Sequence, residues 1–544
     1  MRARLIFDGA FARGESFEPI RDEGANASRV AIGGDSFHAA RMRDLVAALL
    51  IVLPVCSGLR GAEDSPPPHI LFIVIDDLRP MLACYGHPVV KTPQIDRLAR
   101  EGLLFERACC QYAKCGTSRL SLMTGLRPES IGVFSNRLED ADAFRERRRD
   151  AVWMSRWFRE AGYEALSFGK IDHDGWSRDS DWSAPVSPGR EREMWEVTDP
   201  DDPRGPTRIA DRHDCPVLQS PDVPDDHLYA GRMTSEVLDY LATGHDRPLF
   251  LAVGYRRPHL PFVAPKKWFD CYDPEAFVLV DSPEPPADVS PMAWFNSDGY
   301  VGAARLSGIE MPPRPTRDEA ISLNGYELRS YNGVPKEGPI AAKRQHELIH
   351  AYAACVSYVD AQVGRLLDGL EAAGLRENTV VVLCSDHGWH LGEHAAWGKM
   401  TNYEIATRVP LIVSAPGLPR GRTAALAELV DLYPTLCDVA GIAPPGHLEG
   451  ESLFPVLENP ASKGTGTAHS SYARYRARFV GHAIRNDRFR YVRWIDRTTG
   501  DVQFEELYDH ENDPHERRNL AGDPDYADDI GAMQNLVKPV RATP

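Results

Sequence analysis

The stretch His69-Ile70-Leu71-Phe72-Ile73-Val74-Ile75-Asp76-Asp77 is an almost unbroken apolar run that ends abruptly in two carboxylates. An apolar run without polar alternation reads as a strand covered on both faces, the habit of parallel sheets flanked by helices. Working outward, helix-like and strand-like segments alternate. Ala151 to Glu160 has helical spacing and stops at Gly162, and Tyr163 to Phe168 follows as a strand. Leu228 to Leu241 reads as a helix and Pro248 to Gly254 as the next strand. Ile349, Tyr352, Val356, Val359, Val363, Leu366 and Leu370 then fall three or four apart on one face of a long helix that Gly374 ends. Thr379 to Cys384 is another buried strand, Val409 to Val413 one more, and Glu428 to Ala440 a helix. This alternation predicts an α/β fold: a large mixed, mostly parallel sheet with helices on both faces. No internal repeat is visible.

Two irregular regions, residues 183–224 and 274–340, are rich in Pro, Asp, Gly and Ser and too long for plain connectors. Loops of that length in a compact enzyme shape pockets. After about residue 455 the pattern changes. Gly481 to Trp494 and Val502 to Tyr508 look like short antiparallel strands, which predicts a catalytic domain over 66–455 and a smaller C-terminal α+β subdomain over 456–544.

The amino-terminal region reads as a processing segment. Arg43 supplies a positive charge, Leu45 to Leu53 is apolar throughout, and small residues follow around Ser57, Gly58 and Ala62. That run falls far short of the ~20 residues of a membrane-spanning helix and fits a signal peptide over 42–62. Residues 1–41 lack periodicity and are read as a non-native start extension; Cys56 is a weaker lipid-anchor candidate, because Val55 is bulky. The expectation is a periplasmic or secreted protein with no membrane span.

The 544 residues carry a net charge of −17, spread along the chain. That argues against a nucleic-acid partner, which requires a basic face. Ten cysteines are scattered without a zinc-type C-x-x-C pair. Export permits disulfides, and Cys215 and Cys271 lie in loop-like stretches where each could pair with another cysteine, with the connectivity open.

In open α/β sheets, ligands gather at the carboxyl ends of strands. Here those ends carry Asp76-Asp77 and Asp386-His387. Each pair alone also fits a helix cap or a solvated strand end. Together they make a hard-cation site suited to Ca²⁺, with Mg²⁺ the alternative.

Between them lies Cys115-Gly116-Thr117-Ser118-Arg119, followed by Leu122, Thr124 and Gly125. It resembles the sulfatase signature C-x-(P/A/T)-S-R-x-x-x-x-T-G, of the alkaline phosphatase-like superfamily. Ile75-Asp76-Asp77-Leu78-Arg79-Pro80, Gly169-Lys170, Gly254-Tyr255-Arg256-Arg257-Pro258-His259 and Ser385-Asp386-His387-Gly388-Trp389 resemble its iduronate-2-sulfatase branch. The resemblance runs from Asp76 to about Gly522, and such blocks in this order do not arise by chance.

The resemblance implies that a maturase oxidises Cys115 to formylglycine (3-oxoalanine). An aldehyde hydrates to a gem-diol: one hydroxyl attacks sulfur and displaces the alcohol, and the other loses its proton to expel sulfate. A serine has no such exit. By the same resemblance Asp76, Asp77, Asp386 and His387 bind the metal with residue 115, and Arg119 orients the formylglycine. Lys170 and Lys399 bind sulfate oxygens, where fixed cations act on developing charge. His173 takes the proton during sulfate elimination and His259 acts as the leaving-group acid, tasks that suit an imidazole. Trp389 and His394 flank the metal motif as support or substrate contacts. Leu507-Tyr508-Asp509, Asn512-Asp513-Pro514 and Asn519-Leu520-Ala521 match the family's tail.

One departure stands out: Thr117 occupies a position where the maturation motif most often has Pro. The expected reaction is hydrolysis of a sulfate ester on a sulfated uronic acid or other glycan. Two rivals remain: a phosphodiester or phosphonate monoester hydrolase of the same superfamily, and a silent sulfated-glycan-binding protein if Cys115 stays a thiol.

Overall fold

The computed structural model describes residues 66–537 apart from 174, 186–195, 198–206, 209–212, 281–282, 301–310 and 313. The expected start extension 1–41, the signal segment 42–62 and Cys56 lie outside the described residues.

Seven strands form the main sheet: β1 (His69–Ile75), β2 (Leu103–Cys109), β3 (Glu164–Gly169), β4 (Leu249–Tyr255), β5 (Thr379–Ser385), β6 (Arg408–Ser414) and β7 (Gly421–Glu428). Their order across the sheet is β7-β2-β6-β5-β1-β4-β3. The helices used below are α1 (Pro93–Glu101), α2 (Cys115–Thr124), α3 (Met154–Glu160), α4 (Tyr229–Leu241), α5 (Ala342–Ala372) and α6 (Leu432–Val439).

Strand β1 shows why the sequence builds this sandwich. Successive side chains of a strand point to opposite faces. Leu71, Ile73 and Ile75 enter the core that contains Met233 and Val237 of α4 and Leu348, Val359 and Leu366 of α5. Ile70, Phe72 and Val74 enter the opposite core, with Leu122 of α2, Phe158 of α3 and Leu436 of α6. Both faces are covered, as the unbroken apolar run requires.

Strand β1 pairs parallel with β4 and β5, β3 with β4, and β7 with β2. Strand β6 runs antiparallel to both of its neighbours, β2 and β5. It follows β5 without a crossover helix, so the chain re-enters the sheet from the end it left. The connection 386–407 between them stays at the carboxyl end of β1 and β5 and supplies much of the site described below.

Three expectations need correction. The helix expected over Glu428 to Ala440 begins only at Leu432, because Glu428 closes β7 and Leu429–Asp431 form a 3-10 turn. The span Gly481 to Trp494 is two strands, with the turn made by Asn486, whose Oδ1 accepts from the Arg488 and Phe489 amides at 3.0 and 2.7 Å. An Asn side chain that mimics a backbone turn is a common hairpin device. Finally, Cys215 and Cys271 are not in disulfides, and no disulfide joins cysteines of the described residues.

The second sheet is antiparallel, in the order β8 (Ala468–Arg474), β9 (Phe479–Arg485), β10 (Phe489–Asp496), β11 (Val502–Asp509). Phe479, Trp494 and Tyr508 pack against Trp294, Phe295, Leu323 and Tyr326 of the segment 274–340. The described residues of that segment include short helices, Pro291–Trp294, Arg317–Leu323 and Tyr326–Arg329 among them. The buried Arg490 ties the second sheet to the connection after β5, donating to Glu516 at 2.7 Å, to the Asn402 carbonyl at 3.1 Å and to Glu404. Among the described residues, no helix is long and apolar enough to cross a membrane.

Candidate active site

The register of β1 against β5 pairs Ile75 with Ser385, so the residues that follow leave the sheet side by side. The Ser385 hydroxyl donates to the Ile75 carbonyl at 2.8 Å and accepts the Leu78 amide at 3.0 Å. The Asp77 amide donates to Asp386 Oδ1 at 3.2 Å. Asp76, Asp77, Asp386 and His387 are fully buried.

The chain reaches α2 from β2 across the sheet. Within α2, Ser118 Oγ donates to the Asp386 carbonyl at 2.5 Å, and Arg119 Nε donates to Asp386 Oδ2 at 2.8 Å. Arg119 Nη1 also donates to the Ile171 carbonyl at 3.1 Å and to that of Lys170, and Nη2 lies 3.5 Å from Asp76 Oδ1. One buried guanidinium thus ties together the ends of β1, β3 and β5. Thr117, the departure from the usual motif, fits its place: its hydroxyl donates to the Val133 carbonyl at 2.9 Å.

These constraints bring ligand atoms of Asp76, Cys115, Asp386 and His387 within 4.8 Å of one another. Asp77 stands beside that quartet: its Oδ1 lies 3.5 Å from His387 Nε2 and accepts Lys399 Nζ at 2.7 Å. Cys115 Sγ lies 3.3 Å from His387 Nε2 and 3.1 Å from Lys399 Nζ. Asp76 Oδ1 and Asp77 Oδ2 are buried and without a hydrogen-bond partner. Unpaired buried carboxylate oxygens are costly unless something positive meets them. The donor set therefore fits a hard divalent cation.

The charges behave accordingly. Burial acts to raise Asp76, but the cations around it, Lys170 first and Arg119 with it, outweigh burial and hold the carboxyl well below its usual range. Burial, with Asp76 and Cys115 adding to it, pushes Asp77 upward against Lys399. Burial and Asp76 push the Cys115 thiol up to about 11. Lys399 is held charged: burial opposes its ammonium, and Asp77, Cys115 and Glu327 overcome that.

Lys170 reaches the cluster through two glycines. Gly169 pairs with Gly254 across β3 and β4. A Cβ on Gly254 would sit 1.9 Å from the Lys170 carbonyl, and one on Gly169, at φ +69°, would sit 2.2 Å from the Gly254 carbonyl. Only glycines let these strand ends close, and Lys170 Nζ then pairs with Asp76. His173 is on the same turn, its ring 5.5 Å from that of Trp176. Trp176 packs on Gly116, where a Cβ would come within 2.7 Å of the indole, so His173 lies one ring away from the residue after Cys115.

His259 follows β4, between the cis bonds Arg257–Pro258 and Leu260–Pro261. Its Nδ1 is 2.7 Å from the Leu260 carbonyl, which assigns the proton to Nδ1 and leaves Nε2 facing Glu327 Oε1 at 3.5 Å and Asp77 Oδ2 at 4.0 Å. Burial, then Lys399 and Lys170, keep the imidazole well below its usual value.

The residues singled out for metal binding and catalysis come to this one region, His173 at its edge. Trp389 is buried under Lys399 Nζ, 5.2 Å from the ring. His394 turns away, its Nε2 2.8 Å from the His515 carbonyl. Two charged neighbours escaped the sequence reading. Glu327, from the segment 274–340, is buried with Oε1 3.7 Å from Lys399 Nζ and Oε2 unpartnered. Lys114 precedes Cys115 and faces Asp298, Glu327 and Lys399. Nothing in the pattern marks Glu327; Lys114 could have been found by asking what flanks the nucleophile.

Comparison with known proteins agrees with this geometry. A family model described as Sulfatase matches residues 68–442, and one described as N-sulphoglucosamine sulphohydrolase, C-terminal, matches 392–543. Iduronate 2-sulfatase of Homo sapiens is 30% identical over 557 aligned positions, covering 87% of this chain and 95% of that protein. A sulfatase of Formosa agariphila is 30% identical over 494, covering 88% of each. The phosphonate monoester hydrolase of Agrobacterium radiobacter superposes with a TM-score of 0.64 over 86% of this chain and 95% of its own, at 24% identity, a likeness of fold.

Proposed function

The chain belongs to the sulfatase family and is a sulfuric ester hydrolase; from that premise we propose that it cleaves a sulfate ester on a sulfated uronic acid or other glycan, with formylglycine at position 115 as nucleophile. The observation that carries this reading is the convergence of Asp76, Cys115, Asp386 and His387 within 4.8 Å, beside Lys399. The substrate class rests on the iduronate 2-sulfatase relative, whose name places sulfate on a uronic acid.

A thiol pushed up to about 11 is a poor nucleophile at neutral pH, which favours conversion of Cys115 over direct thiolate attack. Formylglycine supplies a hydrated aldehyde, with one hydroxyl to attack sulfur and a second to eject sulfate. Asp76, Asp77, Asp386, His387 and residue 115 would hold Ca²⁺, or Mg²⁺, which polarises sulfate oxygens and acidifies a hydroxyl.

The chain's own residues do the rest. Lys170 and Lys399, both buried, neutralise the sulfate oxygens where fixed charges act more strongly than in water. Arg119 holds α2 against the strand ends, so residue 115 keeps its place. With Nδ1 committed to the Leu260 carbonyl, His259 offers Nε2 to the departing alcohol oxygen. The arriving sulfate offsets the cations that depress this imidazole and restores its capacity to carry a proton. His173 takes the proton that frees sulfate. A maturase partner and a periplasmic or secreted location follow from the same reading and from the segment 42–62.

The test is direct. Protein from a maturing host is expected to show a peptide at residue 115 lighter by about 18 Da, the difference between CH₂SH and CHO side chains. It should release sulfate from sulfated uronic saccharides faster than it cleaves a phosphodiester, and a chelator should stop it until Ca²⁺ is restored. Unmodified thiol with no turnover would favour the silent glycan-binding reading; preference for the phosphodiester would favour the phosphohydrolase.

A further inference from the structure

We propose that Lys114 is a specificity-determining residue: its ammonium binds a second anionic group of the saccharide beside the sulfate ester. The inference rests on the reading above and deepens it.

Lys114 is fixed at its root. Its amide donates to the Tyr112 carbonyl at 2.7 Å and its carbonyl accepts the Ser118 amide at 3.0 Å, the first turn of the nucleophile's helix. The side chain therefore starts one residue from the reacting atom, on backbone that the helix holds still.

The cations around it are accounted for. Lys170 pairs with Asp76, Lys399 with Asp77 at 2.7 Å, and Arg119 with Asp386 at 2.8 Å. Arg474 takes Asp298 at 3.0 Å, and the Tyr475 amide takes the other oxygen of the same carboxylate at 3.0 Å. Glu327 turns Oε1 toward His259 and Lys399. Asp298 and Glu327 thus face Lys114 without giving it a bond, and among the described residues Lys114 has neither an ion pair nor a side-chain hydrogen bond. It also differs in access: Lys170 and Lys399 are 3% and 2% exposed, whereas Lys114 is only half-buried.

A lysine offers donors only, and its strong bonds are those to anions. The scissile sulfate already has two buried lysines. What remains for an accessible, unpaired ammonium next to it is a neighbouring negative group of the same sugar, a carboxylate or a second sulfate.

The experiment uses the matured enzyme and Lys114→Ala, with Lys114→Arg as the charge-keeping variant. Sulfate release is followed on a sulfated uronic saccharide, on its carboxyl-reduced counterpart, on a disulfated neutral sugar with its monosulfated form, and on an aryl sulfate. For Lys114→Ala the preference for the doubly anionic over the singly anionic partner, as a ratio of kcat/KM, should fall about tenfold or more, chiefly through KM. Lys114→Arg should retain most of it. Which pair loses its ratio tells carboxylate from sulfate. Equal loss on every substrate would overturn the proposal by placing Lys114 on the scissile sulfate. Unaltered ratios with unaltered rates would overturn it too, leaving a hydrated surface lysine. A wild-type enzyme that releases no sulfate from any of these sinks the underlying reading, an outcome distinct from either.

Discussion

Buried carboxylates are held in two opposite ways in this molecule, one at the carboxyl end of the first sheet and one at Glu506 in the second. At the carboxyl end of the parallel strands, Asp76 and Asp386 lie against Lys170 and Arg119, and Asp76 is held well below its usual range despite burial. In the antiparallel sheet, Glu506 is as deeply buried but meets only neutral donors, Trp494 Nε1 and the Tyr508 hydroxyl, both at 2.6 Å; burial raises it to about 7. A buried acid that keeps its charge needs cations arranged around it, an arrangement that costs desolvation and that is common at functional sites. Asp76 and Asp386 have such an arrangement and Glu506 does not, although Asp509 at the end of the same sheet pairs with Arg488 at 2.6 Å and Arg490 pairs with Glu516 at 2.7 Å. What sets the strand ends of the first sheet apart is that their paired acids stand beside Cys115 and leave Asp76 Oδ1 and Asp77 Oδ2 unpartnered; the second sheet buttresses Trp294, Phe295 and Tyr326, next to the wall residue Glu327.

The largest effect should come from Cys115→Ala. Sulfate release should fall by on the order of 10⁴-fold or more, as for loss of a nucleophile elsewhere. In chelator, where bound metal does not enter the comparison, the variant should melt close to wild type, since a small side chain replaces a thiol. Retained turnover would show that the charge cluster serves something other than this nucleophile.

Next is Asp386→Asn, which asks whether the strand-end charges are mutually dependent. Arg119 is fully buried and donates Nε to Asp386. Removing the negative charge leaves a guanidinium short of its partner, a loss of about 3 kcal/mol. Chemical denaturation in chelator would measure it, because the comparison is then free of bound metal. Metal content of the untreated variant should fall as well. An unchanged midpoint in chelator would mean that Asp76 alone satisfies Arg119.

How much of this was legible in the sequence follows from where each signal resides. Strands β1 and β5 announce themselves because both of their faces are buried, which leaves no polar residue inside Ile70 to Ile75 or Val380 to Cys384. Strand β2 carries Glu106-Arg107 in its middle, and β7 reads Gly-Arg-Thr-Ala-Ala-Leu-Ala-Glu at the sheet edge, where alanines favour a helix reading. Those two strands, and the reversal of β6, are decided by tertiary pairing. The same division runs through the site. Asp76, Asp77, Asp386, His387 and Cys115 sit in continuous motifs. Glu327 joins them only because the core of Trp294, Phe295 and Tyr326 packs on the second sheet, a contact between segments with no shared pattern.

The smallest expected effect is the one that tests the other half of the comparison. Glu506 ordinarily titrates near 4.5 and here near 7, so folding takes up a proton between those values. A carboxyl with a raised folded-state pKa imposes no penalty below its unfolded value. Stability then falls as pH climbs through the window, and the full cost, roughly 3 kcal/mol, is present above it. Glu506→Gln mimics the protonated acid, retaining an acceptor for Trp494 and a donor for the Tyr508 oxygen, which also accepts. Part of the gain is forfeited to imperfect hydrogen bonds, each worth about 1 kcal/mol. The variant should therefore be more stable than wild type by about 1–2 kcal/mol at pH 8 and level with it or weaker at pH 5. Sulfate release at saturating substrate should change little, because no reacting group touches this carboxyl. Equal shifts at both pH values would mean that Glu506 stays charged in the fold, and the contrast between the two sheets would lose its electrostatic basis.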